Sequence, residues 1–109
     1  MAVTSTQTRT AASVTNIATG RYLDDGTAAA FTITVGFTPR YVRVLNVPDR
    51  TQLEWFQGMA AAEAHKTVAA GTATNITTLG ITQGTYSFTV GLDTDVNVSN
   101  KQLSWIAIG

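Results

Sequence analysis

No cysteine occurs among the 109 residues of this chain, and proline occurs twice. The missing thiols exclude disulfide frameworks, zinc–thiolate sites and cysteine nucleophiles. Charge is scarce and balanced: seven basic and seven acidic residues make up 13% of the chain, against a usual ~25%. Proteins that grip nucleic acid carry a basic patch or excess, and the sequence offers neither, so no nucleic-acid partner is expected. No stretch approaches the ~20 apolar residues of a membrane-spanning helix. No apolar run follows a basic start, so neither a signal peptide nor a membrane partner is expected. Neutrality promotes association. Two readings of it stand side by side: a Thr/Ser/Asn/Gln surface that stays soluble without charge, or a surface largely covered by neighbouring subunits, since interface cores are depleted in charge.

What is present is β-forming. In Phe31-Thr32-Ile33-Thr34-Val35-Gly36-Phe37 the apolar residues 31, 33, 35 and 37 share one face and threonines the other, the period-2 alternation of a half-buried strand. Thr38-Pro39 ends it. Arg40–Val47 and Gln52–Gln57 are two further strands, joined across Pro48-Asp49-Arg50 as an antiparallel hairpin. A Thr-rich β segment follows at 73–79, with breaks expected at Gly80, Gly84 and Gly91. Residues 86, 88, 90 and 92 form another apolar face, Val96 and Val98 suggest a short strand, and Gln102–Ile108 is apolar enough to sit centrally. Between Gly58 and Gly71 the run Met59-Ala60-Ala61-Ala62-Glu63-Ala64-His65-Lys66 is rich in helix formers and predicts a short helix or a structured loop. Residues 1–20 hold one charge and no aromatic residue, and Thr alternates at positions 4, 6, 8 and 10. They predict an extended N-terminal arm able to reach roughly 60 Å. The whole therefore reads as mainly β: an arm at 1–20, then one domain at 21–109. That domain is a compact antiparallel β-sandwich or barrel, jelly-roll-like, with at most one short helix.

Chemistry is sparsely furnished. The single histidine, His65, stands without a Gly-x-Ser-x-Gly elbow and reads as a surface or subunit-contact residue. Asp93-Thr94-Asp95-Val96-Asn97 opens like a calcium loop, but Val98 stands where the loop needs glycine and Ser104 where it needs glutamate. The sequence favours Asp side chains capping local N–H groups instead. Glu54 beside Trp55 suggests sugar binding. The plainer reading puts Trp55 or Phe56 in the core and Glu54 outside, pairing with Arg43 across the hairpin. Asn75-Ile76-Thr77 and Asn97-Val98-Ser99 are formal glycosylation sequons. No catalytic residue, cofactor or metal site is expected, and the chain is not read as an enzyme.

Three stretches carry a resemblance: Gly36-Phe37-Thr38-Pro39-Arg40-Tyr41-Val42-Arg43-Val44-Leu45-Asn46, Leu53-Glu54-Trp55-Phe56-Gln57-Gly58-Met59-Ala60 and Lys66-Thr67-Val68-Ala69-Ala70-Gly71-Thr72. Over roughly residues 30–109 the chain resembles small virion structural proteins of tailed bacteriophages. The resemblance implies a decoration or cement protein on the capsid exterior of the virion, made in the host cytoplasm. Its implied partner is the major capsid protein, and its implied state a homo-oligomer, with a trimer favoured. The alternatives are a head–tail connector, tail or fibre component, and a carbohydrate-binding or adhesion module using Trp55, Trp105 or tyrosines as stacking platforms. Contact residues are expected on the arm (Val3, Thr6, Arg9, Val14, Ile17) and on the Ala-rich segment (Met59, Glu63, His65, Lys66), which are low in charge and outside the expected core strands.

Overall fold

Proline-poor, threonine-rich alternation gives a chain of strands. The computed structural model describes residues 16–109, and the arm residues Val3, Thr6, Arg9 and Val14 lie outside that range. Eight strands form one sheet: β1 (Ile17–Tyr22), β2 (Phe31–Thr34), β3 (Tyr41–Asn46), β4 (Thr51–Phe56), β5 (Glu63–Thr67), β6 (Ala73–Gln83), β7 (Ser87–Val90) and β8 (Leu103–Ile108). Their spatial order is β1-β8-β3-β4-β5-β6-β7-β2. Every neighbouring pair is antiparallel, and the sheet curls into a half-barrel.

The hairpin expected across Pro48-Asp49-Arg50 is present as β3–β4, running from Tyr41↔Phe56 to Asn46↔Thr51. Asn46 and Asp49 stitch its turn: the Asn46 amide donates to Asp49 Oδ2 (3.1 Å), and the Asp49 N–H donates to Asn46 Oδ1 (3.1 Å). β8 lies between β1 and β3, inside the sheet as its apolar sequence requires.

The sheet curls around Val42 and Val44 of β3, Leu53 and Trp55 of β4, Ala64, Ile81, Phe88 and Val90, and Leu103 and Ala107 of β8, all buried. Curling brings distant strands together. Phe88 on β7 meets Trp105 on β8 edge to face (5.4 Å, 67°). Tyr22 and Phe31, on the two edge strands, stack at 3.7 Å and 8°, so the seam is held by a ring pair. Gly20 makes room for the indole, since a Cβ there would lie 2.6 Å from Trp105 Cζ2.

The bend has a visible cause. Ala64 pairs with Ile76, but its neighbour Glu63 pairs with Ile81, so Thr77–Gly80 bulge out of the ladder. Such insertions bend and twist a sheet. Ala62 and Leu79 adopt positive φ (65° and 62°) on either side of this corner. Gly80 packs so closely that a Cβ would lie 2.6 Å from the Ala62 carbonyl oxygen.

Four expectations change here. The Ala-rich segment is not helical: after a turn at Ala61-Ala62 it becomes β5, because an eight-residue helix is marginal alone while β4 and β6 each offer it a ladder. Gly80 does not end a strand but lies inside β6 at the corner. Val96 and Val98 form no strand: residues 94–96 turn, and Val96 is buried as a plug against the core. Residues 17–20, read as arm, are the first part of β1 and pair with β8 from Ile17↔Ile108 to Tyr22↔Leu103. The domain boundary therefore falls before residue 17.

Candidate interaction face

Alternation along each strand leaves a second phase of side chains on the outside of the sheet. The registers align that phase into three cross-strand rows. The first is Ile17–Ile108–Tyr41–Phe56, the second Thr19–Ile106–Arg43–Glu54–His65–Asn75, and the third Arg21–Ser104–Leu45–Gln52–Thr67–Ala73. Ile17 and Phe56 are about half exposed (54% and 47%), and Leu45, Ile106 and Ile108 are partly so. A shallow depression of about 190 Å³ lies among Arg43, Leu45, Ser104, Trp105 and Ile106.

Polar side chains on this face bond one another. The Tyr41 hydroxyl donates to Glu54 Oε2 (2.7 Å). The Arg43 guanidinium donates twice to Gln52 Oε1 (3.0 and 2.5 Å), and the Gln52 amide reaches Glu54 Oε1 at 3.5 Å. Partial burial, the hydrogen bond to Glu54 and its negative charge push the Tyr41 phenol up to about 12, against a smaller opposing pull from Arg43. The expected Arg43–Glu54 pair does not form, although the two are register partners. The ion pairs among the described residues are Lys66 with Asp93 and Asp95, and Lys101 with Asp49. Arg43 finds Gln52 instead because that amide oxygen lies diagonally across the hairpin, within the guanidinium's reach.

The expected contact residues do not form one patch. Ile17 and His65 lie on the outer face. The His65 ring Nδ1 donates to Asn75 Oδ1 (2.8 Å). Met59 is half-buried against the core, and its sulfur accepts weakly from the Phe56 N–H (3.5 Å). Glu63 turns back to accept the Ala60 N–H (2.9 Å), which shapes the turn into β5. Lys66 points the other way. It is the register partner of buried Leu53 and reaches Asp93 (3.0 Å) and Asp95 (2.6 Å) inside the curl. Burial alone would lower the Lys66 ammonium, but hydrogen bonds to Asp95 and Asp93 and their charges outweigh it and hold it above its usual value.

This inner cluster is structural. Asp93 Oδ1 accepts the N–H groups of Asp95 and Val96 (2.9 and 3.2 Å). Buried Asn97 donates to the carbonyls of Ala29 and Gly91 (2.8 and 3.1 Å). The Asn46 amide and the Thr51 hydroxyl bond the carbonyls of Val96 and Asp95. The segment thus plugs the open end of the curl with its polar atoms satisfied. Where a calcium loop would place its ion, Lys66 Nζ occupies the carboxylates. Among the described residues no three His, Asp or Glu side chains gather as a metal would require. A second hollow, about 260 Å³, lies against this cluster, lined by Lys66, Val68, Thr72, Thr74, Ile76 and Asp95.

Neither tryptophan offers an exposed ring. Trp55 is 3% exposed and donates to the Ala60 carbonyl (3.2 Å), and Trp105 packs on Phe88 and Gly20. Of the two sequon asparagines, Asn75 is exposed and Asn97 buried. The side chains of the outer face that sequence reasoning did not single out are Tyr41, Leu45, Phe56, Ile106 and Ile108. Their signal was present as the second phase of each strand, but only the registers assemble it into rows. Comparison with protein-family models, with curated proteins and with solved structures finds no match to this chain.

Proposed function

We propose that this chain is a non-enzymatic structural protein that works by docking to other protein subunits, and that the outer face of its sheet is a principal contact. The observation that carries this reading is the set of three in-register rows. They present isoleucine, leucine and aromatic side chains beside polar groups that hydrogen-bond one another, so covering the face removes apolar surface from water and leaves Arg43 and Glu54 as the charges a partner must match. The scarcity of charge fits a molecule surrounded by neighbours. In finer terms, the reading is a decoration or cement protein of a phage capsid, bound to the major capsid protein on the exterior of the virion. That step rests on the sequence resemblance over residues 30–109.

Immunogold labelling of intact particles from the source phage tests it. Label spread evenly over heads supports decoration. Label confined to neck, tail or tail tip moves the protein to a connector or fibre role. Replacing Ile106 and Phe56 together by aspartate places two charges on the face without touching the core, and is expected to lower occupancy on particles at least tenfold. Full occupancy by that variant rejects the face as the contact.

A further inference from the structure

We propose that the outer face is self-complementary, and that its first partner is a second copy of this chain docked face to face about a two-fold axis. This rests on the docking role proposed above and names the partner. Arg43 and Glu54 sit side by side at the centre of the middle row, yet each spends its hydrogen bonds on neutral neighbours, Gln52 and Tyr41. Among the described residues neither charge has a counter-charge within ion-pair distance, and the one other formal charge in the three rows, Arg21, lies on β1, two strands away from Arg43.

The registers decide which docking satisfies them. Consider an axis between the two sheets, parallel to the strands and above the β3–β4 seam. It sets each residue of β3 opposite its β4 register partner in the other copy, and each residue of β8 opposite the β5 residue of the same row. Arg43 then faces Glu54 of the second copy, and Glu54 faces its Arg43, giving two equivalent ion pairs. The same operation sets Tyr41 opposite Phe56 of the second copy and Ile106 opposite its His65. An axis directly above β3 puts Arg43 on Arg43, and one above β4 puts Glu54 on Glu54. An axis across the strands through the middle row opposes both like pairs, and one above the β3–β8 seam lays Arg43 on Ile106. Of these arrangements, only the β3–β4 axis turns the unmatched charges into pairs. Packed sheets lie ~10 Å apart, a gap that arginine and glutamate span between them, and an isologous patch of this kind closes on itself as a dimer. β1, β8, β3 and β4 pair without a register shift, the shift falling only between β5 and β6, so the face is continuous across the proposed axis. The face is the convex side of the curl, so contact centres on β8, β3, β4 and β5, and four strands by about five residues is roughly 300 Å² per copy. That is small for a specific interface, so the search extends to about 300 µM. The symmetry is two-fold, not the three-fold that the resemblance implies.

Sedimentation of the full chain from about 10 to 300 µM, with no particle present, tests this. Wild-type protein is expected to pass from monomer to dimer in that range. Arg43→Glu and Glu54→Arg are each expected to stay monomeric. Mixed in equal amounts they should form a heterodimer, because each opposed pair is then again opposite in charge. A double variant carrying both substitutions should dimerise alone. Wild-type protein monomeric throughout overturns the proposal, as does a dimer that either single variant leaves intact. Should the single variants fold poorly, dilution of wild-type protein followed by amide NMR gives an independent reading. Concentration-dependent shifts centred on β3 and β4 support the face, and shifts confined to other strands or loops reject it. Particle labelling is read separately: a monomer that still decorates particles removes the dimer and leaves the docking role, and a dimer that labels nothing does the reverse.

Discussion

The two halves of the sheet are built differently. β1, β8, β3 and β4 pair residue for residue over six positions, bury one phase and offer the other. β5, β6, β7 and β2 are shorter or broken by the Thr77–Gly80 bulge, and Lys66 of β5 joins Asn46 and Thr51 in holding the plug at 93–97. The regular half spends its sequence on a surface, and the irregular half spends it on closure. Regularity here goes with an outer phase left exposed, while the positive φ of Ala62 and Leu79 and the tightly packed Gly80 gather where the chain must bend.

Breaking closure should cost the most. Gly80→Val forces a side chain against the Ala62 carbonyl. It is expected to destabilise by roughly 3 kcal/mol, whereas Gly36→Ala, at positive φ but with nothing within 4 Å, should cost only about 1 kcal/mol. Urea midpoints of the two variants give the contrast directly, and equal losses would deny that the corner is sterically fixed. In the core that both halves share, Leu53→Ala removes a fully buried side chain and should cost about 3 kcal/mol. Asp93→Ala removes two caps and one arm of the Lys66 pair, and a loss of about 2–3 kcal/mol is expected. It should also raise amide exchange in residues 93–97 while leaving β3 and β8 protected.

Alkaline pH probes both halves with one titration. Tyr41 on the regular half has its phenol raised from 10.0 to about 12. The folded state keeps a proton that the unfolded chain releases, so its contribution is complete below pH 10 and is lost between pH 10 and 12. Lys66 on the irregular half is raised above 10.5 and acts in the same direction, complete below about 10.5 and lost as pH rises through its folded value. Melting temperature should therefore fall above pH 10, less steeply in Tyr41→Phe and in Lys66→Met, and a flat profile in wild-type protein would contradict both assignments. The smallest effect expected is from deleting residues 2–15. That leaves β1 whole and should shift the melting temperature by no more than about 2 °C, whereas deleting 2–19 removes half of β1 and should unfold or aggregate the domain.

In the regular half Pro48-Asp49-Arg50 declared a hairpin and the apolar Leu103–Ile108 declared an inner position, while residues 17–20 lacked the apolar area to declare themselves part of β1. In the irregular half Phe31-Thr32-Ile33-Thr34 and the 86, 88, 90 face declared strands through their period, but the corner and the plug between them did not. Met59–Ala64 has the local preferences of a helix, overridden by the open edges of β4 and β6, which no local window contains. Gly80 looked like punctuation because a bulge and a strand end share glycine as their signal. Val96 and Val98 have strand spacing, but Asp93 caps that segment into a turn. Of the contact face, each strand showed its own exposed phase. The alignment of Ile106, Arg43, Glu54 and His65 into one row depends on pairings between residues far apart in sequence.

One pairing also sets a timetable. β8 inserts between β1 and β3, so Ile17 must wait for Ile108, about ninety residues later, before it has a neighbour. As the chain leaves the ribosome, β3 and β4 can form their hairpin early, but the flank of β3 stays open until residues 103–108 have been made. A product cut short before Leu103 lacks β8 and with it the anchor for β1. Premature termination therefore yields a molecule with a bare strand flank on β3, open to wrong pairing and to proteases, and only a chain that reaches β8 can close that flank.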